Sequence, residues 1–309
     1  MTSLKASVSG IDFENPVLLA SGILDETGAS MARVASLGAG GVVTKSIGLE
    51  PRSGHPNPCI VESQHGLINA MGLPNPGMED YSEEISEALD AGVPVMASIF
   101  ADKPEDFSRL AKMAKDAGAH ALELNLSCPH AKGLGLEIGQ DPRLAGMIVQ
   151  SVKGAGLPVF PKISPHVNNL EEMARTFEDA GADGIVAINT LRALAIDVDL
   201  RAPILGNIRG GLSGPSVKPV GVRMIYDLHR LTKLPLIGVG GISCGRDALE
   251  YIMAGASLVQ VGTTAWQRGP GACGEIACEL GKELERLGYS SVQDAVGAAH
   301  WLEDERGQG

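Results

Sequence analysis

The feature that most constrains the fold is a short sequence motif that recurs along the chain, each time just before a run of apolar residues. It reads Asp116-Ala-Gly-Ala119, Asp179-Ala-Gly-Ala182 and Met253-Ala-Gly-Ala256, with a shorter form at Asp90-Ala-Gly92. Glycine just past a helix adopts the left-handed conformation that closes its last turn, so each motif predicts a helix C-terminus. Helices that end regularly before short apolar strands predict an α/β fold with parallel strands and right-handed crossovers.

The same alternation places the individual strands and helices. The predicted strands are Val17–Ala20, Gly41–Thr44, Val93–Ile99, Ala121–Leu124, Val159–Ile163, Ile185–Ile188, Leu236–Val239 and Leu258–Val261. Helical patterns lie at Ser30–Leu37, Met78–Ala91, Pro104–Ala117, Arg143–Gly154, Asn169–Ala180, Val217–Thr232 and Arg246–Ala254, with a last helix beyond the eighth strand. Eight such units favour a closed (β/α)8 TIM barrel, and a doubly wound open sheet is the alternative. The 309 residues, 44% of them hydrophobic, can bury one barrel-sized core, so we expect a single barrel domain over residues 1–309.

Additions to the barrel are expected at its start and over one face. Leu4–Val8 and Ile11–Phe13, joined at Ser9-Gly10, predict a short N-terminal β-hairpin. Two connections, residues 46–77 and residues 189–216, are too long for ordinary turns, and loops of this length are usually functional or disordered. Because both follow strands, we expect long βα loops over the C-terminal face of the barrel.

Charge and cysteine content exclude several classes of protein. A net charge of −12 argues against nucleic acid or an anionic membrane as the partner. The five cysteines are scattered without a C-x-x-C pair, so neither a disulfide framework nor a zinc or iron–sulfur site is predicted. The N-terminus lacks the apolar stretch of a signal peptide, and no apolar run reaches the ~18 residues of a membrane span. We therefore expect a soluble, cytoplasmic protein without a bound metal.

The residues that follow the strands indicate what the barrel binds, because in such barrels they converge on one mouth. They are Ser21, Lys45, Ser98, Asn125, Lys162, Asn189, Thr190, Gly240, Gly241, Gly262 and Thr263. Lysines, amides and hydroxyls without a carboxylate predict an anionic ligand. The glycines on the last two strands suit backbone binding of a phosphate, although glycine also serves ordinary βα turns.

Lys45 and Lys162 each follow a run of apolar residues directly. Either side chain could simply cover apolar surface with its stem while its ammonium group reaches water. Two lysines at equivalent strand ends also fit a shared anion, and a flavin is a good candidate because a nearby cation stabilises its reduced ring. A non-catalytic barrel that binds a phosphorylated ligand, or an aldolase with one of these lysines as a Schiff base, is the alternative.

The fourth strand ends in a stretch of reactive side chains, Asn125–His130, which leads into a glycine-rich segment. Most cytosolic cysteines are small buried fillers, and we expect the other four to be of that kind. Cys128 differs because it lies in a strand-end loop, where a thiol with a pKa near ~8.5 can accept a carbon-bound proton once it is positioned and desolvated. A nucleophilic Cys–His pair is the alternative, but it needs an orienting residue and an oxyanion hole.

Several motifs together resemble the dihydroorotate dehydrogenase family, from about Ser21 to Thr263 and in the family's order. They are Asn125-Leu-Ser-Cys-Pro129, Asn69-Ala-Met-Gly-Leu-Pro-Asn75, Thr44-Lys45-Ser46, Asn189-Thr190, Gly211-Leu-Ser-Gly214 and Gly240-Gly241-Ile242. The resemblance implies an FMN-dependent (β/α)8 barrel that oxidises (S)-dihydroorotate to orotate in pyrimidine biosynthesis. It implies that Cys128 takes the C5 proton while the C6 hydride passes to FMN.

The resemblance also implies two sets of binding residues. The implied FMN site consists of Ser21, Lys45, Ser46, Asn125, Lys162, Ile188, Gly214, Gly240, Gly241, Gly262 and Thr263. The implied substrate site consists of Lys45, Asn69, Met71, Gly72, Leu73, Asn125, His130, Asn189 and Thr190. Asparagines and backbone donors suit a small planar carboxylate rich in amide groups.

A cysteine at position 128 resembles the class 1 enzymes, because class 2 enzymes use serine and carry an N-terminal extension. Within class 1, the sequence Cys-Pro-His-Ala-Lys-Gly resembles that of the NAD-linked class 1B catalytic subunit more closely. That subclass implies a homodimer joined by an electron-transfer subunit with FAD and a [2Fe-2S] cluster, giving a heterotetramer. A fumarate-linked class 1A enzyme, and a flavin barrel acting on another dihydropyrimidine, are the alternatives.

The chain departs from the family pattern at two positions. The family usually continues Cys-Pro-Asn, whereas this chain has His130, whose imidazole would donate a similar bond with added pH dependence near ~6.5. At the third strand end the family often has an asparagine beside the flavin. Ser98 has a shorter reach, so no flavin contact is expected of it.

Overall fold

The computed structural model describes residues 2–126 and 138–302. Its strands are β1 (Ala6–Val8), β2 (Ile11–Phe13), β3 (Val17–Leu19), β4 (Gly41–Val43), β5 (Ile60–Ser63), β6 (Gly66–Asn69), β7 (Val95–Ile99), β8 (Ala121–Asn125), β9 (Val159–Ile163), β10 (Ile185–Ala187), β11 (Leu191–Ala193), β12 (Ile196–Asp197), β13 (Ala202–Pro203), β14 (Gly210–Ser213), β15 (Leu236–Val239) and β16 (Ala256–Val261). Its α-helices are α1 (Gly28–Ser36), α2 (Met78–Leu89), α3 (Pro104–Asp116), α4 (Pro142–Val152), α5 (Leu170–Asp179), α6 (Lys218–Leu231), α7 (Gly245–Met253), α8 (Thr263–Arg268) and α9 (Ala272–Leu287).

Eight strands close into a parallel barrel whose order around the axis follows the chain: β3, β4, β7, β8, β9, β10, β15 and β16, with β16 pairing back to β3. Helices connect successive strands and surround the barrel. The predicted (β/α)8 barrel is therefore confirmed, and the open sheet is wrong. The N-terminal hairpin is also present, with β1 and β2 antiparallel. Because all strands point the same way, their carboxyl ends meet at one face.

The recurring glycine motif ends helices as predicted. Gly118 and Gly181 follow α3 and α5 with φ angles of +94° and +83°. After α3, the N–H of Gly118 donates to Lys115 and the N–H of Ala119 donates to Ala114, at 2.9 and 3.0 Å. These bonds satisfy carbonyl groups that the last turn would otherwise leave without partners. The chain then enters the next barrel strand within a few residues.

The helices pack on the barrel through one apolar face. In α5, Met173, Ala174 and Phe177 are buried, while the acidic residues of its first turn face solvent. The Asn169 side chain accepts the N–H of Glu172 at 3.1 Å and so caps the helix start. Burial of a large side chain such as Phe177 contributes about 1.5–3 kcal/mol relative to an exposed position.

The two long connections fold into structure of their own, which the sequence patterns did not predict. The connection after β4 supplies β5 and β6, and the connection after β10 supplies β11 and β14. These four strands form an antiparallel sheet in the order β11-β14-β6-β5, called here the accessory sheet. A small hairpin of β12 and β13 extends from the second connection. The expected loops over the C-terminal face are thus largely a second sheet.

Several boundaries differ from the predictions by one or two residues. The hairpin begins at Ala6 rather than Leu4, the last barrel strand begins at Ala256 rather than Leu258, and α2 ends at Leu89. The short helix α8 was not predicted. Within residues 2–126 and 138–302, no helix combines the length and apolar character needed to cross a bilayer.

Cysteine burial follows the expectation at one position only among those the structure describes. Cys273 on α9 is buried, and burial raises the pKa of its thiol to about 12. Cys59 and Cys244 are partly exposed, and Cys278 is exposed on the same helix. The prediction that all four are buried fillers is therefore wrong. An exposed position on a surface helix explains Cys278, which no core contact constrains.

Candidate active site

A cavity of about 290 Å³ lies at the carboxyl ends of the barrel strands, under the accessory sheet. It brings together residues that the sequence singled out from widely separated parts of the chain. These lining residues are Ser21, Lys45, Ser46, Asn69, Met71, Leu73, Asn125, Lys162, Ile188, Asn189, Thr190, Gly214, Gly240, Gly241, Gly262 and Thr263. The volume is in the range of small-molecule sites.

Three other predicted site residues are placed differently. Gly72 is not among the lining residues, and its carbonyl accepts a hydrogen bond from Nε of Arg52 at 2.9 Å. Cys128 and His130 lie outside the described residues. The chain leaves the barrel after Leu126 and is anchored again where the N–H of Gly139 donates to the Leu126 carbonyl at 2.8 Å. The described residues Leu126 and Gly139 are therefore adjacent in the structure.

A buried ion pair forms the floor of the cavity. Nζ of Lys162 lies 3.1 Å from Oε1 of Glu123 and 3.2 Å from Oε1 of Gln260. The second oxygen of Glu123 accepts Nε2 of Gln260 at 2.7 Å. Side chains from β8, β9 and β16 thus meet inside the barrel, with Lys162 and Glu123 only 8% and 1% exposed.

The expectation of a carboxylate-free mouth is wrong because of this group. Glu123 points inward from the middle of its strand, so it does not occur among the residues after the strands. Lys162 has its counter-ion within the protein and does not require a bound anion to satisfy it. Its amine is also engaged with two acceptors. That arrangement is typical of a fixed cation rather than of a free amine available for a Schiff base.

Lys45 is the more available cation of the two. It follows β4, its side chain is 14% exposed, and its partner Glu26 is 3.6 Å away and 76% exposed. An ion pair with an exposed carboxylate is weak because water screens it, typically ~0–1 kcal/mol. Lys45 can therefore turn its charge toward an anionic ligand at small cost.

Hydroxyl groups on three neighbouring strands form a chain beside Lys45. The Ser46 hydroxyl lies 2.8 Å from that of Ser98 and 3.3 Å from that of Ser21. Nδ2 of Asn125 donates to the Ser46 hydroxyl at 3.1 Å. Ser98 is fully buried and is not among the cavity's lining residues, in line with its short reach. Its role is to hold Ser46, which does line the cavity.

The accessory sheet positions the amide side of the cavity. Asn69 ends β6 and donates from Nδ2 to the carbonyl of Gly211 on β14 at 3.3 Å. Thr190 packs on Gly211 so closely that a Cβ at that glycine would lie 2.0 Å from the Thr190 hydroxyl. Nδ2 of Asn189 lies 3.5 Å from Oδ1 of Asn125. Amides from the barrel and from the sheet therefore face the same space.

Glycine turns after β15 and before α6 form the opposite side. Gly214, Gly240 and Gly241 have φ angles of +92°, +126° and +73°. A Cβ at Gly241 would lie 2.7 Å from the Gly214 carbonyl and 2.8 Å from the backbone nitrogen of Lys218. The hydroxyl of Thr263 donates to that of Ser213 at 2.8 Å. Exposed backbone N–H groups in such turns are suited to a phosphate.

This packing gives a first testable prediction for Gly241→Ala. The variant should lose about 1–3 kcal/mol of unfolding free energy beyond ordinary backbone strain, because its methyl group collides with two backbone atoms. Gly10→Ala is the matched control, since Gly10 also has a positive φ of +81° but meets nothing within 4 Å. Thermal unfolding of both variants measures the difference, and equal losses would contradict the close packing of this turn.

Some lining residues were not found from the sequence. They include Ile60, Leu67 and Leu212 of the accessory sheet, Glu26, Glu123 and Trp266. The charged residue in Leu122-Glu123-Leu124 was an available signal, because a carboxylate inside an apolar strand needs a partner. The sheet residues had no comparable signal. Among the described residues, no three His, Cys, Asp or Glu side chains are grouped to hold a metal.

Fold and cavity together define a (β/α)8-barrel protein with a ligand site at the carboxyl ends of its strands. The family model for dihydroorotate dehydrogenase matches residues 3–284. The chain therefore belongs to the dihydroorotate dehydrogenase family, a family of flavin-dependent oxidoreductases.

Individual relatives agree over nearly the whole chain. A Pyrococcus horikoshii protein named dihydroorotate dehydrogenase B (NAD(+)), catalytic subunit, is 49% identical over 298 residues, covering 96% of this chain and 97% of the relative. Relatives of the same name from Thermoplasma volcanium and Methanocaldococcus jannaschii are each 47% identical. They cover 97% and 96% of this chain, and 99% and 98% of their own lengths.

Proposed function

We propose that the chain is the catalytic subunit of an NAD-linked dihydroorotate dehydrogenase. It oxidises (S)-dihydroorotate to orotate in pyrimidine biosynthesis, with FMN bound in the cavity. The observation that carries the proposal is the convergence of Lys45, three asparagines and the late-strand glycines on one cavity. The names of the relatives, which cover nearly all of the chain, support the NAD-linked subclass over a fumarate-linked one.

The donor groups fit FMN. The glycine turns at Gly214 and Gly240-Gly241, together with Gly262 and Thr263, offer backbone and hydroxyl donors for a phosphate on one side of the barrel. Lys45 after β4 and Lys162 on β9 also line the cavity, where a cation would favour the negative charge of a reduced isoalloxazine ring. Bound here, FMN would supply the acceptor for the C6 hydride of dihydroorotate.

The amide-lined part of the cavity suits the substrate. Asn69, Asn125, Asn189 and Thr190 can hydrogen-bond the ring amides, because side-chain amides and hydroxyls both donate and accept. Lys45, with its weakly held exposed partner, can pair with the carboxylate of dihydroorotate. Met71 and Leu73 close the site from the accessory-sheet side. These contacts would orient the substrate and exclude water around the reacting carbons.

Proton removal falls to the segment that leaves the barrel at Asn125. Cys128 would take the proton from C5, and His130 would donate a hydrogen bond to the substrate. The described side chains that line the cavity offer a weaker base, since Glu123 is already engaged by Lys162 and Gln260. Cys128, three residues beyond Asn125 in the sequence, is the base that we propose instead.

Electron transfer onward to NAD requires a second protein. The relatives are named catalytic subunits, which implies an additional subunit in their enzymes. We propose the same for this chain, with FAD and a [2Fe-2S] cluster on the partner and a homodimer of the catalytic chain at the centre of a heterotetramer.

The proposal predicts bound flavin and a specific reaction. The purified protein, reconstituted with FMN, should absorb near ~450 nm and bleach on addition of dihydroorotate. It should reduce an artificial acceptor alone but form NADH only with the electron-transfer subunit. Protein that binds no flavin, or whose flavin dihydroorotate does not bleach, would contradict the proposal. Rapid turnover with fumarate as the electron acceptor would indicate the fumarate-linked class 1A instead.

A further inference from the structure

A buried carboxylate lies directly behind the cavity wall, where no family motif identified above places a charge. Asp25 follows β3 and is fully buried, while its neighbours Gly22 and Glu26 line the cavity. Its Oδ2 accepts the N–H of Gly22 at 2.5 Å. Its Oδ1 has no hydrogen-bond partner among the described residues. Burying a carboxyl group with one oxygen unsatisfied lowers the stability of the fold, so a role for Asp25 that offsets this cost is expected.

The surroundings of Asp25 supply one cation and several acidic groups. Lys45 on the adjacent strand end favours the ionised form, and Glu26 in the same loop opposes it. From α2, the hydroxyl of Tyr81 donates to the Asp25 backbone carbonyl, and Glu84 lies further along that helix. Burial is the largest influence and raises the pKa of the Asp25 carboxyl to about 6. Burial and the negative charges of Asp25 and Glu84 raise the pKa of Tyr81, which stays neutral.

We propose that Asp25 is a positioning residue that serves as the internal counter-charge of Lys45 and sets how strongly that lysine attracts an anion in the cavity. The inference rests on the proposed function, in which Lys45 meets the carboxylate of the substrate or product. The exposed partner Glu26 is screened by water, whereas the buried Asp25 is not. Asp25 therefore acts on Lys45 through the protein, and it also holds the Gly22 turn in place.

The test compares binding of orotate to the flavin-loaded wild type and to Asp25→Asn. Asparagine keeps an oxygen to accept the Gly22 N–H but removes the charge. At pH 8, where Asp25 is ionised, the variant should bind orotate about 3- to 10-fold more tightly, the scale of one screened charge at short range. At pH 5, where Asp25 is protonated, the two dissociation constants should agree. Asp12→Asn is the control, because it removes the same charge at an exposed position on β2. Its dissociation constant for orotate should equal that of the wild type at both pH values.

The ratio of the two dissociation constants isolates Asp25 from other titrating groups. Every other titrating group is present in both proteins, so its contribution to the ratio cancels. A ratio that does not change with pH would overturn the proposal and leave Asp25 a purely structural residue. If the wild type itself binds no orotate, the proposed function fails instead, so the two failures are distinguishable.

Thermal unfolding of the flavin-free protein tests the buried charge without any ligand. An aspartate with a pKa of 3.8 unfolded and about 6 folded binds more protons when folded, so wild-type stability should fall as pH rises from 4 to 6. Lys45→Met removes the compensating cation, so its melting temperature should drop below that of the wild type by roughly 2–6 °C at pH 7–8, with a smaller gap at pH 4. This variant also serves if Asp25→Asn does not fold. A gap that is the same at both pH values would overturn the proposal.

Discussion

Lys162→Met is expected to be among the most damaging substitutions in the barrel, lowering the free energy of unfolding by about 3–5 kcal/mol. The loss arises because Glu123, 1% exposed, would keep its charge inside the barrel with only the amide of Gln260 for a partner. Removing one member of a buried pair costs far more than the pair contributes. Since Lys162 also lines the cavity, the variant should hold flavin poorly.

A double-mutant cycle separates the orphaned charge from other effects. Glu123→Gln combined with Lys162→Met removes both charges, so the double variant should recover most of the stability that Lys162→Met loses. Lys153→Met is the control, because Lys153 pairs with Asp183 at 2.6 Å but both side chains are about one-third exposed. The free energy of unfolding of Lys153→Met should be lower than that of the wild type by no more than ~1 kcal/mol. Chemical denaturation followed by circular dichroism measures the wild type, the single variants Lys162→Met and Glu123→Gln, the double variant and the Lys153→Met control. A Lys162→Met variant as stable as the wild type would show that Glu123 is not buried as a charge.

The barrel could be predicted from sequence because its information is local and repeated. Four of the helices (α2, α3, α5 and α7) end in the recurring glycine motif, and a short apolar strand follows each of them. Position along the chain therefore gives position around the barrel. Residues at strand ends then share one face without any knowledge of side-chain contacts. That is why lining residues as distant as Ser21 and Thr263 were found together.

The accessory sheet and the ion pair depend on non-local pairing. β6 pairs with β14 through Asn69 and Gly211, which are 142 residues apart, and neither strand has more than four residues. Strands this short show too little alternation of apolar and polar residues to be recognised from the sequence. Gln260 likewise looks like an ordinary polar residue until β16 closes against β3 and brings it to Glu123. The sequence motifs therefore predicted where the site lies. The pairing of Lys162 with Glu123 and Gln260 could be seen only once the barrel strands were brought together.

Cys128→Ala is expected to retain flavin yet lose at least ~100-fold in dihydroorotate oxidation, the usual contribution of a positioned general base. The substitution removes the proposed proton acceptor and replaces none of the described residues that line the cavity. Stopped-flow measurement of flavin bleaching isolates this step from electron transfer to NAD. Cys278→Ala, an exposed thiol on α9, is the control and should bleach at the wild-type rate.

Cys128→Ser distinguishes a base from a residue that merely fills space. A serine hydroxyl is nearly the same size but a much weaker acid than a thiol, whose ordinary pKa is about 8.5. The serine variant should therefore react slowly near neutral pH and keep gaining rate at alkaline pH values where the wild type has levelled off. If Cys128→Ser and Cys128→Ala are equally slow at every pH, the side chain at this position does not move the proton. The base would then have to be another residue, and His130 would be the next one to replace.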